Sequence, residues 1–236
     1  MVTKPKAIAR LLRSEPEVRS ACLLGSVARG DADRHSDLDL LAVVENDAVV
    51  GERLRRIVPR VIDGRSVQIR VLTVSRLNEQ TARRSIYAAH VARESVCLFD
   101  RRGDLRRVKR AFPSGATLAE SADPLRRRLT LYDDLEWCGG HFLLCLADLY
   151  AFGRAGAILT LGRRGIFEFG RTAPLEKLGA LEPSIAAAAS TVRQLEPFYV
   201  RVRRGIVVQA PFPARGAFHE AAAARDACGA ILAPLP

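Results

Sequence analysis

Four residues between Leu24 and Leu40 have the types and spacing of a site for phosphate and metal. Gly25 and Ser26 follow an apolar segment; a turn of this composition lets the backbone approach a phosphate closely, and the serine hydroxyl can donate a hydrogen bond. Asp37 and Asp39 stand two residues apart at the next apolar segment, so on a strand their carboxylates project from the same face. Paired carboxylates suit Mg²⁺, which binds one or two of them together with substrate phosphates. The combination predicts a site for a nucleotide-type ligand.

A known signature matches this stretch. Residues 23–44, LLGSVARGDADRHSDLDLLAVV, resemble the G-S-x-A-R-G … S-D-x-D-L signature of the DNA polymerase beta-like nucleotidyltransferase superfamily, in its minimal prokaryotic branch. The similarity covers roughly residues 5 to 103. It implies a mixed sheet flanked by helices and a nucleoside triphosphate bound with Mg²⁺ or Mn²⁺. The implied reaction transfers a nucleoside monophosphate, with ATP as the expected donor, to a hydroxyl acceptor and releases pyrophosphate.

The resemblance also implies roles for individual residues. Asp37 and Asp39 are implied as catalytic residues and as the metal ligands. Nucleotide binding is implied for the turn residues Gly25 and Ser26, for the motif arginine Arg29 and for Ser36. The acceptor is left open and could be an RNA, a protein side chain or a small molecule.

One departure from the family pattern affects the expected chemistry. Active members commonly carry a third carboxylate, as metal ligand and base, on the strand that corresponds to Val67–Val74. Here the polar face of that segment carries Gln68 and Arg70, and neither an amide nor a guanidinium can take a proton from the acceptor. Asp63, in the turn before the strand, would have to reach several residues further to substitute.

Two interpretations therefore remain at this stage. Asp37 and Asp39 could suffice for turnover, or the protein could be a catalytically weak or inactive nucleotide-binding regulatory module, similar to an antitoxin, that acts through a protein or RNA partner. Arg70 could pair with the triphosphate, as a further nucleotide-binding residue, or with the two aspartates; alternatively it is a surface arginine on an edge strand.

The elements that must position these residues form an α/β module over residues 1–103. Four strands are predicted from apolar and alternating patterns, at Val18–Leu24, Leu38–Val44, Val67–Val74 and Ser95–Asp100. Helical spacing predicts helices over Pro5–Arg13, Ala48–Val61 and Arg76–Glu94. The charged segment Arg101–Asp104 is the predicted boundary.

Residues 104–236 are predicted to form an all-helical bundle that binds the substrate or a partner. Long helical patterns cover Pro124–Tyr150, Ala157–Phe169 and Pro174–Leu195. Phe198–Gln209 could be a strand or a helix end, and the sequence after Ala210 has no assignment. The fold class is thus a small mixed sheet flanked by helices, α/β (α+β), followed by a helical domain.

Composition limits the class of protein. The chain has 236 residues, 48% of them hydrophobic and 27% charged, which is typical of a globular protein and excludes disordered and fibrous classes. A net charge of +11 permits an anionic partner such as RNA. No apolar run is expected to span a membrane, and five cysteines without a C-x-x-C pair are expected to be reduced thiols. These features predict a cytoplasmic protein.

One further cluster is weighed as a metal site. Cys138, His141 and Cys145 share one face of a predicted helix, as zinc ligands would, but no fourth ligand stands at a recognisable spacing. Core packing is the favoured interpretation, because the surrounding helix is apolar nearly all round.

Overall fold

The computed structural model describes residues 4–34, 36–46, 49–135, 142–205 and 214–235. The chain divides into two compact units, Met1–Ala119 and Glu120–Pro236. The first is built on a mixed sheet and the second on helices. This architecture confirms the predicted fold class.

The sheet of the first unit has five strands among the described residues, in the order β3-β4-β2-β1-β5. Strands β2 and β4 are parallel, and the other neighbouring pairs are antiparallel. The strand bounds are β1 Val18–Leu24, β2 Leu38–Val44, β3 Val61–Ile62, β4 Arg65–Thr73 and β5 Val96–Asp100. Only four strands were expected, because the two-residue β3 is too short to show a pattern. It pairs with β4 through a turn in which Asp63 and Gly64 both have positive φ.

Six helices flank this sheet in the described part of the first unit. Their bounds are α1 Lys4–Ser14, α2 Gly25–Arg29, α3 Val50–Ile57, α4 Val74–Ala82, α5 Ile86–Glu94 and α6 Asp104–Ala111. The single helix predicted over Arg76–Glu94 is wrong, since α4 and α5 are separate. Arg84 has φ 49° between them, and the Ser85 hydroxyl caps α5 by accepting a hydrogen bond of 3.1 Å from the Ala88 amide.

Successive side chains of β2 point to opposite faces of the sheet, one that is apolar and one that carries the acidic pair. One face joins the core formed with α1 and α3; its members include Leu38, Leu40, Ala42, Val44, Ile8, Leu12, Leu54 and Val58. Asp37 and Asp39 project from the opposite face, as do Gln68 and Arg70 of the parallel neighbour β4. The apolar face thus anchors the strand that presents the acidic pair.

The residues that follow the predicted boundary at Arg101–Asp104 are packed against the first unit. Asp104 begins α6 with its side chain fully buried, and Arg19 of β1 donates two hydrogen bonds of 3.0 Å to its carboxylate. The amide of Ala119 donates to the carbonyl of Arg84 at 3.2 Å. These contacts extend the first compact unit to Ala119, beyond the boundary expected at residue 103.

The second unit is helical throughout its described elements. Its α-helices are α7 Asp123–Leu129, α8 Phe142–Arg163, α9 Ala173–Leu181, α10 Ala186–Gln194, α11 Glu196–Arg203 and α12 Ala214–Leu232. The long helix predicted from Pro124 is wrong in its extent, because α7 ends at Leu129 and one 3₁₀ turn follows. The ambiguous segment from Phe198 is a helix to Arg203, and α12 occupies the sequence left unassigned.

Helix α8 is long and apolar enough to cross a membrane by length and composition, contrary to the expectation that no segment is. Its most apolar window is 61% buried inside the protein, as in the core helix of a soluble domain. Gly153 and Gly156 on α8 let the side chains of α10 and α12 approach closely.

The cysteines differ from the expected set of reduced thiols at one position. Cys22, Cys97 and Cys228 are free, whereas Cys145 is disulfide-bonded, so the prediction is wrong there. Cys138 and His141 lie outside the described residues. Among the described residues no group of three His, Cys, Asp or Glu side chains could hold a metal ion.

Candidate active site

The turn from β1 into α2 lies directly against one of the acidic residues. Leu24, the last residue of β1, pairs with Asp39 in the antiparallel register. Gly25 follows with φ +68°, a conformation that L side chains rarely adopt. A Cβ atom at Gly25 would stand 2.5 Å from Asp39 Oδ2. The glycine is therefore required both by its backbone conformation and by the position of the carboxylate.

Gln68 completes the polar cluster on the other side of β2. It pairs with Asp39 in the parallel register, and its Nε2 donates a hydrogen bond of 2.8 Å to Asp37 Oδ2. The structure thus brings Asp37, Asp39 and Gln68 together, so that of the two polar residues expected on this face of β4, the amide is the one that contacts the acidic pair. Asp63 lies in the β3–β4 turn, before β4 begins at Arg65.

A cavity of about 470 Å³ opens beside Asp39 along β4. Gln68, Arg70, Tyr87 and His90 contribute to its wall. The Arg70 guanidinium lies 4.9 Å from the centroid of the Tyr87 ring, which is a cation–π contact. Burial raises the pKa of the Tyr87 hydroxyl, and the opposing charge of Arg70 does not cancel the rise. Tyr87 is therefore neutral at physiological pH.

Arg29 is held by carboxylates next to the turn. Its Nη1 donates to Glu94 Oε2 at 2.8 Å, and its Nε lies 3.2 Å from Asp31 Oδ2. His90 Nε2 lies 2.9 Å from the same Glu94 oxygen. Burial alone would raise the pKa of Glu94, but the hydrogen bonds from His90 and Arg29 outweigh it, so this pKa is lowered. The Arg29–Glu94 pair ties α2 to α5 and fixes the position of the turn.

Ser36 holds the loop that leads into Asp37. Its side chain is buried, and its hydroxyl donates to Asp33 Oδ1 and accepts from the Asp33 amide, both at 2.9 Å. Arg65 Nη1 donates to the Ser36 carbonyl at 3.1 Å. These contacts fix the entry to β2, so Ser36 orients the acidic pair through the backbone.

Sequence reasoning did not assign Tyr87, His90 or Glu94 to the site. The three residues stand at i, i+3 and i+7 on α5, so they share one helix face. The spacing indicates a shared helix face, but it points to the site only once the packing of α5 beside the acidic pair is known.

Both the sequence and the fold of the chain are similar to those of known proteins. Residues 5–92 match the family model of a nucleotidyltransferase domain. Among solved structures, the chain is similar to spectinomycin adenyltransferase from Enterococcus faecialis, crystallised with ATP and spectinomycin; the TM-score is 0.53 at 11% identity over 96% of this chain and 99% of that one. A nucleotidyltransferase-like protein from Exiguobacterium sibiricum gives a TM-score of 0.37 at 14% identity, over 97% of this chain and 73% of that one.

No curated protein matches the chain. The first solved structure covers nearly the whole length, which extends the similarity of fold into the helical unit. Residues 5–92 therefore belong to the nucleotidyltransferase domain family, and the sheet with its following helical region is a nucleotidyltransferase fold.

Proposed function

We propose that the protein transfers a nucleoside monophosphate from a metal-bound nucleoside triphosphate, ATP in particular, to a hydroxyl acceptor and releases pyrophosphate. The observation that carries the proposal is the close approach of the Gly25 turn to Asp39. A phosphate-binding turn and an acidic pair in contact are the two parts that such a transfer requires. The choice of ATP is supported by the similar adenyltransferase, which was crystallised with ATP.

Each part of the site has a distinct task in this proposal. The backbone N–H groups of Gly25 and Ser26, with the serine hydroxyl, bind the β- and γ-phosphates. Asp37 and Asp39 would hold Mg²⁺ or Mn²⁺, and they suit it because both are carboxylates on one strand face beside that turn. A bound metal ion neutralises charge on the phosphates. Arg29 and Ser36 act through their neighbours, as positioning residues.

The reaction forms a bond between the acceptor oxygen and the α-phosphorus and breaks the bond to pyrophosphate. The acceptor proton must leave, and neither the Gln68 amide nor the Arg70 guanidinium can take it. The acceptor therefore arrives already ionised or is activated by another group. Acceptor or partner binding by the helical unit and a cytoplasmic location stay predictions.

The proposal is tested by measuring pyrophosphate release with each of the four nucleoside triphosphates and Mg²⁺ or Mn²⁺. Cell lysate supplies the acceptors, and labelled product identifies their class. We expect release that is abolished by Asp37→Ala and by Asp39→Ala. Asp63→Ala is the matched control, because Asp63 lies in the β3–β4 turn and does not line the cavity beside Asp39, so its loss should leave the rate unchanged. Unchanged Mg²⁺-dependent release in the Asp37→Ala variant would refute the site.

A non-catalytic, regulatory nucleotide-binding module is the second candidate, and the Gln68–Asp37 hydrogen bond is the observation that favours it. With an amide at this position, the described residues provide two carboxylates where active relatives commonly provide three. Gln68→Glu restores a third carboxylate in contact with the pair. Tight binding of ATP without release in the wild type, together with release by Gln68→Glu, would favour the regulatory function.

A further inference from the structure

The strand order separates the two sides of the acidic pair. Strand β2, which carries Asp39, lies between β1 and β4. The Gly25–Ser26 turn extends from β1, so the triphosphate of the proposed function lies on that side. Neighbouring strands are about 4.8 Å apart, which puts β4 on the far side of Asp39 from the phosphate turn. A second substrate therefore has access to Asp39 from the β4 side.

The cavity on the β4 side is dominated by positive charge. Arg55 from α3 and Arg70 from β4 both contribute to its wall, whereas Asp39 is the one carboxylate among its described lining residues. Both arginines are exposed to solvent and can meet an incoming ligand. A Cβ atom built on Gly51 would lie 3.7 Å from Arg55 Nη1 and 3.8 Å from Val71 Cβ, so Arg55 approaches β4 from the core face. Arg70 projects from the other face, and the two arginines border the cavity from opposite sides of this strand.

Arg70 is also held in place before any ligand arrives. Its guanidinium packs on the ring of Tyr87 at 4.9 Å, which restricts a side chain that would otherwise lose much rotamer freedom on binding. A guanidinium carries five N–H donors, so those that do not face Tyr87 remain for the paired hydrogen bonds that suit a phosphate.

We propose that this cavity binds the acceptor and that the acceptor carries a phosphate group, bound by Arg55 and Arg70, beside the hydroxyl that reacts. The inference rests on the proposed function and reassigns Arg70 from the triphosphate to the acceptor. The positive wall disfavours a cationic acceptor. Phosphate of this kind occurs on a phosphorylated sugar and in the backbone of an RNA end, and the test distinguishes these sources.

The experiment measures equilibrium binding to the full chain by titration calorimetry, with Mg²⁺ and a saturating non-hydrolysable ATP analogue. Two probe pairs differ only in charge: glucose 6-phosphate against glucose, and an RNA trinucleotide against its neutral methylphosphonate analogue. We expect the charged member of one pair to bind at least about tenfold more tightly, as hydrogen bonds to charged groups allow. The pair that responds identifies the source of the phosphate.

Single variants assign the effect to the two arginines. Arg55→Gln and Arg70→Gln should each weaken the charged probe about tenfold and leave the affinity for the ATP analogue unchanged. Arg56→Gln is the matched control, because Arg56 lies on the same helix, pairs with Glu52 and does not line the cavity. It should change the affinity less than about twofold.

Three results would overturn the acceptor site. The first is that the charged and neutral members of both probe pairs bind equally well. The second is that Arg56→Gln weakens binding of the charged probe as much as Arg55→Gln does, and the third is that Arg70→Gln weakens binding of the ATP analogue instead of the probe. Failure of the proposed function is separate, because it appears as a wild type that does not bind the ATP analogue at all. A wild type that binds the analogue but fails the probe tests refutes the acceptor site alone.

Discussion

Replacing Gly25 by alanine should separate the cost of backbone strain from the cost of a displaced carboxylate. At φ +68° an alanine costs about 1–2 kcal/mol of folding free energy. Its Cβ would also stand 2.5 Å from Asp39 Oδ2, and ordinary van der Waals contact begins at 3.4 Å. The carboxylate must therefore move by about 0.9 Å, and a misplacement of that size costs about 100-fold in rate.

Gly30→Ala is the matched control for this change. Gly30 caps α2 with φ +84°, but nothing lies within 4 Å of the Cβ position. Both variants should lose about 1–2 kcal/mol in urea-induced unfolding, because both place alanine in the left-handed region. Pyrophosphate release with Mg²⁺ and ATP should fall about 100-fold in Gly25→Ala and change less than about threefold in Gly30→Ala.

The comparison can fail in two informative ways. Equal losses of activity in the two variants would mean that general destabilisation, not the Asp39 contact, accounts for the effect. Normal activity in a stable Gly25→Ala protein would mean that the carboxylate does not need the position it occupies here. Either result refutes the argument that the turn and the acidic pair act as one unit.

Three further predictions concern stability and reactivity. The pKa of Glu94 is lower in the folded than in the unfolded chain, so its ion pairs stabilise the protein at neutral pH. Glu94→Gln should therefore be less stable than wild type in urea-induced unfolding at pH 7. The difference in stability should shrink as the pH falls below about 4.3 towards the folded pKa, because the carboxylate then becomes protonated. Burial raises the pKa of Cys22 to about 12 and removes its thiol from solvent, whereas Cys97 is exposed although burial raises its pKa as well. Iodoacetamide at pH 8 should therefore label Cys97 and spare Cys22 until the protein unfolds, as peptide mapping would show. Gly153→Ala should lower the stability of the helical unit by about 1–3 kcal/mol in thermal unfolding, because its Cβ would lie 2.5 Å from a methyl group of Val192. Gly229→Ala is the control, because nothing lies within 4 Å of its Cβ position; the stability should stay unchanged or rise by up to about 1 kcal/mol.

The central strands of the sheet could be predicted to the residue. Val18–Leu24 and Leu38–Val44 are mainly apolar segments next to turn residues, and both strands have these bounds in the structure. Six of the seven positions in each strand are buried, so apolar residues follow one another instead of alternating with polar ones. The pattern depends on a few adjacent residues, so the sequence alone is sufficient.

Other features depend on contacts that periodicity does not record. The break between α4 and α5 is set by Arg84 and by the Ser85 cap, whose hydroxyl competes with the helix for a backbone amide. Asp104 is charged and follows a glycine, as a linker residue would, but two hydrogen bonds from Arg19 stabilise its burial. That partner lies 85 residues away, so the packing of α6 could not be read from local sequence.

The same distinction explains which part of the site the sequence revealed. Gly25 and Asp39 lie within one motif, and the antiparallel register of β1 and β2 brings them together. Gln68 and Arg70 are both on the correct face of β4, about 7 Å apart, and alternation alone cannot say which one meets the acidic pair. The parallel register decides it, because Gln68 pairs with Asp39 and reaches Asp37, whereas Arg70 lies one step further on and packs on Tyr87. The residue of β4 that contacts the acidic pair is therefore an amide, which cannot take a proton, and the charged residue of the same face lies beyond it.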